Sequence, residues 1–206
     1  MYKDFRKRFH AGPSGKFLLM IMITGCLFAG LAGCGARENG NTDVTENIQV
    51  EFKDASLEEA IRQLSGIPEG MLMTEDVLSV KHFNAPRLNI QIDSLEGVQH
   101  LENLKTLEVP NTQIPDDCLA YIKDLENLRW LDLWNTNITD AGLKHVGNIT
   151  SLTQLFIGKN DITDSGLVYL RGLSNLRVLN LTETGVTEEG IAELKNSLPA
   201  GISLHY

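Results

Sequence analysis

Residues 77–196 repeat every 24 positions with no insertion or deletion. With units starting at Val77, Leu101, Leu125, Ile149 and Leu173, the fourth position holds Val80, Leu104, Leu128, Leu152 and Leu176. The seventh holds Phe83, Leu107, Leu131, Leu155 and Leu179, and the ninth Ala85, Val109, Leu133, Ile157 and Leu181. Further apolar columns start at Ile90, Leu95 and Val98 and recur at the same stride. One such unit is apolar on both flanks and cannot bury them alone, so the units must stack into a continuous core. A chain built this way grows along one axis.

Within a unit, apolar residues at positions seven and nine alternate with mixed ones at six, eight and ten. Alternation of this kind predicts a short strand around positions six to ten, with the mixed columns facing outward. Stacked strands about 4.8 Å apart would form a parallel sheet. Position twelve holds Thr112, Thr136, Asn160 and Thr184, polar residues expected to point inward and bond backbone groups in the turn. Asp116, Asp140, Asp164 and Glu188 form another column, next to Ala-Gly-Leu or Ser-Gly-Leu in the middle units. They read as helix-start residues whose carboxylates cap free N–H groups. A calcium site would require oxygen ligands packed more densely within one loop.

The pattern LxxLxLxx(N/T)xI followed by ITDxGLxxL resembles the leucine-rich repeat family in its bacterial variety, over residues 77–196. The resemblance implies an α/β fold: a right-handed solenoid with a parallel sheet on the concave face and short helices on the convex face. Residues 49–76, with FKDASLEEAIRQL, IPEG and the start of TEDVLSVKHFNAP, look like the helical N-terminal cap of internalin-like proteins. There Ser56 and Glu59 form a capping-box pattern, Leu57, Ala60, Ile61 and Leu64 make an apolar stripe, and a second helix is expected near Thr74. Residues 197–206 are expected to close the other end with an edge strand through Ile202, Ser203 and Leu204.

Ahead of the cap the composition changes. Residues 1–33 combine Lys3, Arg6, Lys7, Arg8 and Lys16 with the apolar run FLLMIMITGCLFAG, the pattern of an export signal. Leu31-Ala32-Gly33-Cys34 resembles the lipobox of bacterial lipoproteins, which implies cleavage before Cys34, lipid attachment to its sulfur and a place in the cell envelope; Ile23-Thr24-Gly25-Cys26 fits the pattern more loosely, and the alternative is that the apolar run stays as an uncleaved membrane anchor. Residues 34–48 contain little to bury and read as a flexible tether. The chain carries −9 overall and +4 on residues 1–33, which leaves −13 on the rest. So acidic a body is unsuited to nucleic acid. Only Cys118 then remains in the folded part, so no disulfide framework is expected.

No nucleophile elbow, phosphate loop, zinc helix or paired-cysteine motif occurs, so neither catalysis nor a cofactor or metal is expected. His82, His100, His145 and His205 are scattered and read as surface or turn residues. The outward columns are the remaining candidates. Column six holds His82, Thr106, Trp130, Gln154 and Val178; column eight holds Asn84, Glu108, Asp132, Phe156 and Asn180; column ten holds Pro86, Pro110, Trp134, Gly158 and Thr182. Trp130, Asp132 and Trp134 therefore form one outward row, with Phe156, Gln154 and Glu108 on adjacent strands. Two partner classes suit it: a protein or peptide at the cell envelope, bound by a monomeric, non-enzymatic module, or a carbohydrate stacked on the aromatic rings. A structural alternative is that Trp134 folds over Pro110 or Gly158 and covers the exit of the sheet.

Overall fold

In the computed structural model, which describes residues 47–206, the repeat becomes a row of three-residue strands. These are β1 (His82–Asn84), β2 (Thr106–Glu108), β3 (Trp130–Asp132), β4 (Gln154–Phe156), β5 (Val178–Asn180) and β6 (Ser203–His205). Neighbours pair in parallel in the order β1-β2-β3-β4-β5-β6. Through β5 each residue lies opposite the one 24 positions on, as Leu107 opposite Leu131. Between β5 and β6 the offset becomes 25, with Val178 opposite Ser203. The closing strand therefore begins at Ser203 rather than Ile202, after a turn with Gly201 at φ 82°. The export segment, Cys34 and the tether up to residue 46 lie outside the described residues.

The strands stop at position eight, two residues short of the expectation, but the backbone ladder continues. Val109 N–H donates to Asp132 O at 3.0 Å and Asn111 N–H to Trp134 O at 2.8 Å. Position eleven then turns left-handed at Asn111 (φ 59°), Asn135 (54°), Lys159 (55°) and Glu183 (57°), which carries the chain out of the sheet. Column ten is therefore the exit of the sheet. Pro86 leaves the column altogether: it lies in α3 (Ala85–Leu88), which starts early because Asn84 Oδ1 accepts the Arg87 N–H at 2.8 Å.

The leucines of positions four and seven, from Leu104 to Leu179, are fully buried. Thr112, Thr136 and Asn160 of position twelve lie inside with them, while Thr184 is half-buried. Thr136 Oγ1 donates to Leu133 O at 2.8 Å, and Asn160 Nδ2 reaches Leu133 O at 2.8 Å and Ile157 O at 3.0 Å. A second ladder, at position three, runs from Asn103, Asn127 and Asn175 to a carbonyl of the preceding unit at 2.9–3.0 Å. These side chains satisfy carbonyls that no strand partner reaches.

The convex side carries α4 (Asp140–Val146), α5 (Asp164–Leu167) and α6 (Glu188–Lys195), and 3₁₀ turns at Val98–His100, Asp116–Tyr121 and Val168–Gly172. Threonine, not aspartate, caps the three α-helices: Thr139, Thr163 and Thr187 accept the Ala141, Ser165 and Gly190 N–H groups. Each aspartate instead reaches forward to the next unit. Asp140 accepts Thr163 N–H at 2.9 Å with Oδ1 and the Thr163 hydroxyl at 2.6 Å with Oδ2. Asp116 holds Thr139 in the same way, and Asp164 holds Thr187. A Cβ on Gly142, Gly166 or Gly190 would strike the carboxylate that enters from the preceding unit. Thr, Asp and Gly in ITDxGL thus serve a joint between units.

Ahead of β1, α1 (Ala55–Ser65) buries Leu57, Ala60 and Ile61, while Leu64 is exposed; α2 (Thr74–Val77) follows. The cap of α1 is Asp54 and not Ser56. Asp54 Oδ1 accepts the Leu57 N–H at 2.9 Å and Oδ2 the Asp93 N–H at 2.7 Å, so one buried carboxylate starts the helix and fastens it to the first repeat. No helix of the described residues is long and apolar enough to cross a membrane.

The joint yields a double-mutant test. Gly166→Ala should destabilise by about 1–3 kcal/mol through overpacking, and Asp140→Ala by about 2 kcal/mol through the two lost bonds. Together, in urea denaturation, they should cost less than their sum by at least about 0.5 kcal/mol. Additivity would show that Gly166 does not make room for Asp140.

Candidate functional site

Strand pairing brings five of the six concave candidates into one patch. Glu108 stands opposite Asp132, Trp130 opposite Gln154, and Asp132 opposite Phe156. All are half-buried within the curve of the sheet. Trp130 and Phe156, on the diagonal, stack with ring centroids 5.3 Å apart and planes at 26°. That offset stack suits two aromatic quadrupoles and holds both rings in place. Trp130 Nε1 is covered and, among the described residues, meets no acceptor. A buried donor left without a partner is uncommon and costs stability.

The sixth candidate leans elsewhere. The Trp134 ring lies against Gly158, where a Cβ would collide with it. Its backbone N–H donates to Asp132 Oδ1 at 2.9 Å. Trp134 thus covers the exit of the sheet, and the bond fixes the Asp132 carboxylate within the patch. Asn180 does the same for its own exit, accepting the Thr182 N–H at 3.0 Å.

Partial burial raises the Asp132 pKa above its ordinary value; the Trp134 N–H opposes this, and the Glu108 charge adds to the rise. Among the described residues no ion pair involves Asp132 or Glu108. Two acids on adjacent strands without a cation between them favour a partner that brings one.

The other candidates do not form a centre. His82 Nδ1 contacts Thr106 Oγ1 at 2.9 Å; His100 sits in a 3₁₀ turn, His145 in α4 and His205 in β6. Cys118 is a half-buried free thiol packed against the core. Among the described residues no three His, Cys, Asp or Glu groups are placed to hold a metal ion. Strand alternation selects columns six, eight and ten and passes over column five, where an open groove of about 590 Å³ lies beside Arg129, Thr153 and Arg177. Its signal is a basic column in the 24-residue alignment.

A leucine rich repeat family model matches residues 126–186, the stretch that includes β3, β4 and β5. Among solved structures, an internalin from Listeria monocytogenes is similar with a TM-score of 0.57 and 24% identity, over 74% of this chain and 49% of that one. The fold is a leucine-rich repeat solenoid. Internalin C2 of the same organism is also similar, with a TM-score of 0.41 and 20% identity over 75% of this chain and 92% of that one. The chain spans about half the length of the first of these internalins. No curated protein matches the sequence. In this leucine-rich repeat solenoid the aromatic patch sits on β3 and β4, within the residues that the family model matches.

The raised Asp132 pKa has a sign that can be checked. A carboxyl that holds its proton more tightly when folded lowers stability as pH rises from its unfolded to its folded pKa, and the penalty is complete above the latter. Asp132→Asn, which retains an oxygen for the Trp134 N–H, should therefore raise Tm at neutral pH, and the gain should shrink on acidification. A gain that is constant with pH would show that ionisation is not its source.

Proposed function

We propose that this chain is a non-enzymatic, monomeric binding module that docks a protein or peptide partner on its concave sheet at the bacterial cell envelope. One observation carries the reading: the Trp130–Phe156 stack adjoins the Asp132 and Glu108 carboxylates, which no cation of the described residues pairs with. A lysine or arginine of the partner would lie between the acids with its stem against the edges of the stacked pair, combining charge-assisted bonds with apolar contact. Partly covered aromatics beside unpaired charge are the composition of interface hot spots.

The carbohydrate alternative has less support. A sugar needs an open ring face, whereas Trp130 stacks on Phe156 and Trp134 rests on Gly158. Titration with oligosaccharides should leave tryptophan emission unchanged; a saturable change would reinstate that reading.

Photo-crosslinking from the position of Gln154 tests the docking face directly. With the full chain in its native cells, a crosslinker there should capture a discrete protein, and Trp130→Ala or Asp132→Asn should weaken the capture by about tenfold or more, as for a hot-spot residue. The same crosslinker at Lys144, on α4, should capture none. Equal capture from both positions would dismiss the concave face.

The envelope location rests on the lipobox-like Leu31-Ala32-Gly33-Cys34. Lipidation at Cys34 would leave the acidic domain on a tether above the bilayer, where a lipid anchor with more than one chain holds firmly. Cys34→Ser should abolish metabolic labelling with a fatty-acid analogue and leave the signal uncleaved. Undiminished labelling of that variant would exclude Cys34 as the attachment point.

A further inference from the structure

We propose that the entry rim of the sheet is a second docking surface for an extended acidic peptide segment, read by the column Lys81, Lys105, Arg129 and Arg177, whose Arg129 and Arg177 end lines an open groove. These residues occupy position five of the unit, with Thr153 between the two arginines, and all four cations are exposed. The surface is distinct from the concave row and does not depend on it.

The backbone sets the spacing of the column. At each step two N–H groups of the next unit converge on one carbonyl: Lys105 and Thr106 on Lys81 O at 2.7 and 3.2 Å, Arg129 and Trp130 on Lys105 O at 2.9 and 3.1 Å. The same fork joins Thr153 and Gln154 to Arg129 O, and Arg177 and Val178 to Thr153 O. Each side chain therefore leaves a fixed Cα at the strand spacing, and the column covers about 19 Å over four steps of about 4.8 Å.

The charge is uncommitted. The ion pairs among the described residues are Arg62–Glu58, Lys123–Asp124 and Arg171–Glu193; none uses this column. Arg129 spends one nitrogen, Nη1, on the Glu126 and Leu128 carbonyls and keeps the rest of its fork. On a chain of net charge −9, four aligned cations without carboxylate partners stand against the background.

The groove of about 590 Å³ lies between Arg129 and Arg177, over Thr153. Its wall is held by bonds from Asn175 Nδ2 to Thr150 O at 2.9 Å and from Ser151 Oγ to Leu128 O at 2.6 Å. A preformed wall lowers the ordering cost of binding.

The lining selects the class of ligand. Asp124 and Glu126 share the groove with the arginines, so the positive field is interrupted. A polyanion charged at every unit would meet those carboxylates, whereas a peptide with acidic side chains separated by neutral ones can step over them. Same-side residues of an extended peptide recur about every 6.6–7 Å, within reach of guanidinium forks whose Cα atoms are about 9.6 Å apart. A guanidinium fork binds a carboxylate in two parallel bonds.

The test is fluorescence anisotropy of the full chain with a labelled peptide of alternating Glu and Ser, at low and at physiological salt. Saturable binding should appear at low salt and weaken as salt is added. Arg129→Glu with Arg177→Glu should weaken it by about tenfold or more, while Lys144→Glu on α4 should leave it within about twofold. Should the reversed pair lose its cooperative melt, Arg129→Gln with Arg177→Gln is read in its place, and reduced affinity supports the groove. No saturable binding at low salt, or unchanged affinity in the arginine variants, overturns the proposal. Tighter binding of a heparin oligosaccharide of matched charge overturns the peptide assignment.

Discussion

Strands of three residues cannot hold a sheet by their ladder alone, and the fold depends on the side chains that tie one repeat to the next. The aspartates of the convex side are the strongest of these ties. Each carboxylate enters the following unit, takes an N–H and a hydroxyl from one threonine, and needs a glycine there to pass. That threonine then caps its own helix, so the joint and the helix start share one residue. Inside, the Thr and Asn column serves the turn, and near the strand entry the Asn column serves carbonyls of the preceding unit. Stacking buries the apolar columns, and these polar ladders fix how far each unit advances.

This regularity makes the deviations informative. The first unit coils early at Asn84 and Pro86 and receives its carboxylate from Asp54 of the cap. The last carries Glu188 where the three middle units carry aspartate, and β6 enters one residue late. On the concave face Trp130 and Phe156 place aromatic rings in columns that elsewhere hold His82, Thr106, Gln154, Val178, Asn84, Glu108 and Asn180, and Asp132 places a second acid beside Glu108. The periodic residues explain the fold. The aperiodic ones carry whatever is particular to this protein.

Most of the architecture was legible in the sequence because a constant stride converts one-dimensional columns into neighbours in space. Which side chains face the core, which strands adjoin and where Asp132 meets Glu108 all follow from counting. Counting failed where a side chain's partner is chosen by reach. Asp140 lies beside its own helix start in sequence, yet its bonds go to Thr163, 23 residues on. Ser56 and Glu59 satisfy a local capping pattern, but Asp54 is placed to serve two elements at once. For Trp134 the columns left two placements open, and the missing side chain at Gly158 selects the one in which the ring lies down on the sheet. Lys81, Lys105, Arg129 and Arg177 form a column just ahead of the strand, where the alternation that distinguishes inward from outward residues does not apply.

The staggered joint has a consequence for how such a chain changes length. An aspartate is used by the unit after its own, and its glycine slot also lies there, so no repeat is chemically complete by itself. Removing any 24 consecutive residues from the middle of the array nevertheless places an aspartate ahead of a waiting threonine and glycine. Removing Ala141–Asp164, for instance, would leave Asp140 to serve Thr187 and Gly190 in the role Asp164 now fills. Repeat number is thus a nearly free variable in inheritance, whereas a change of one residue in the stride is not.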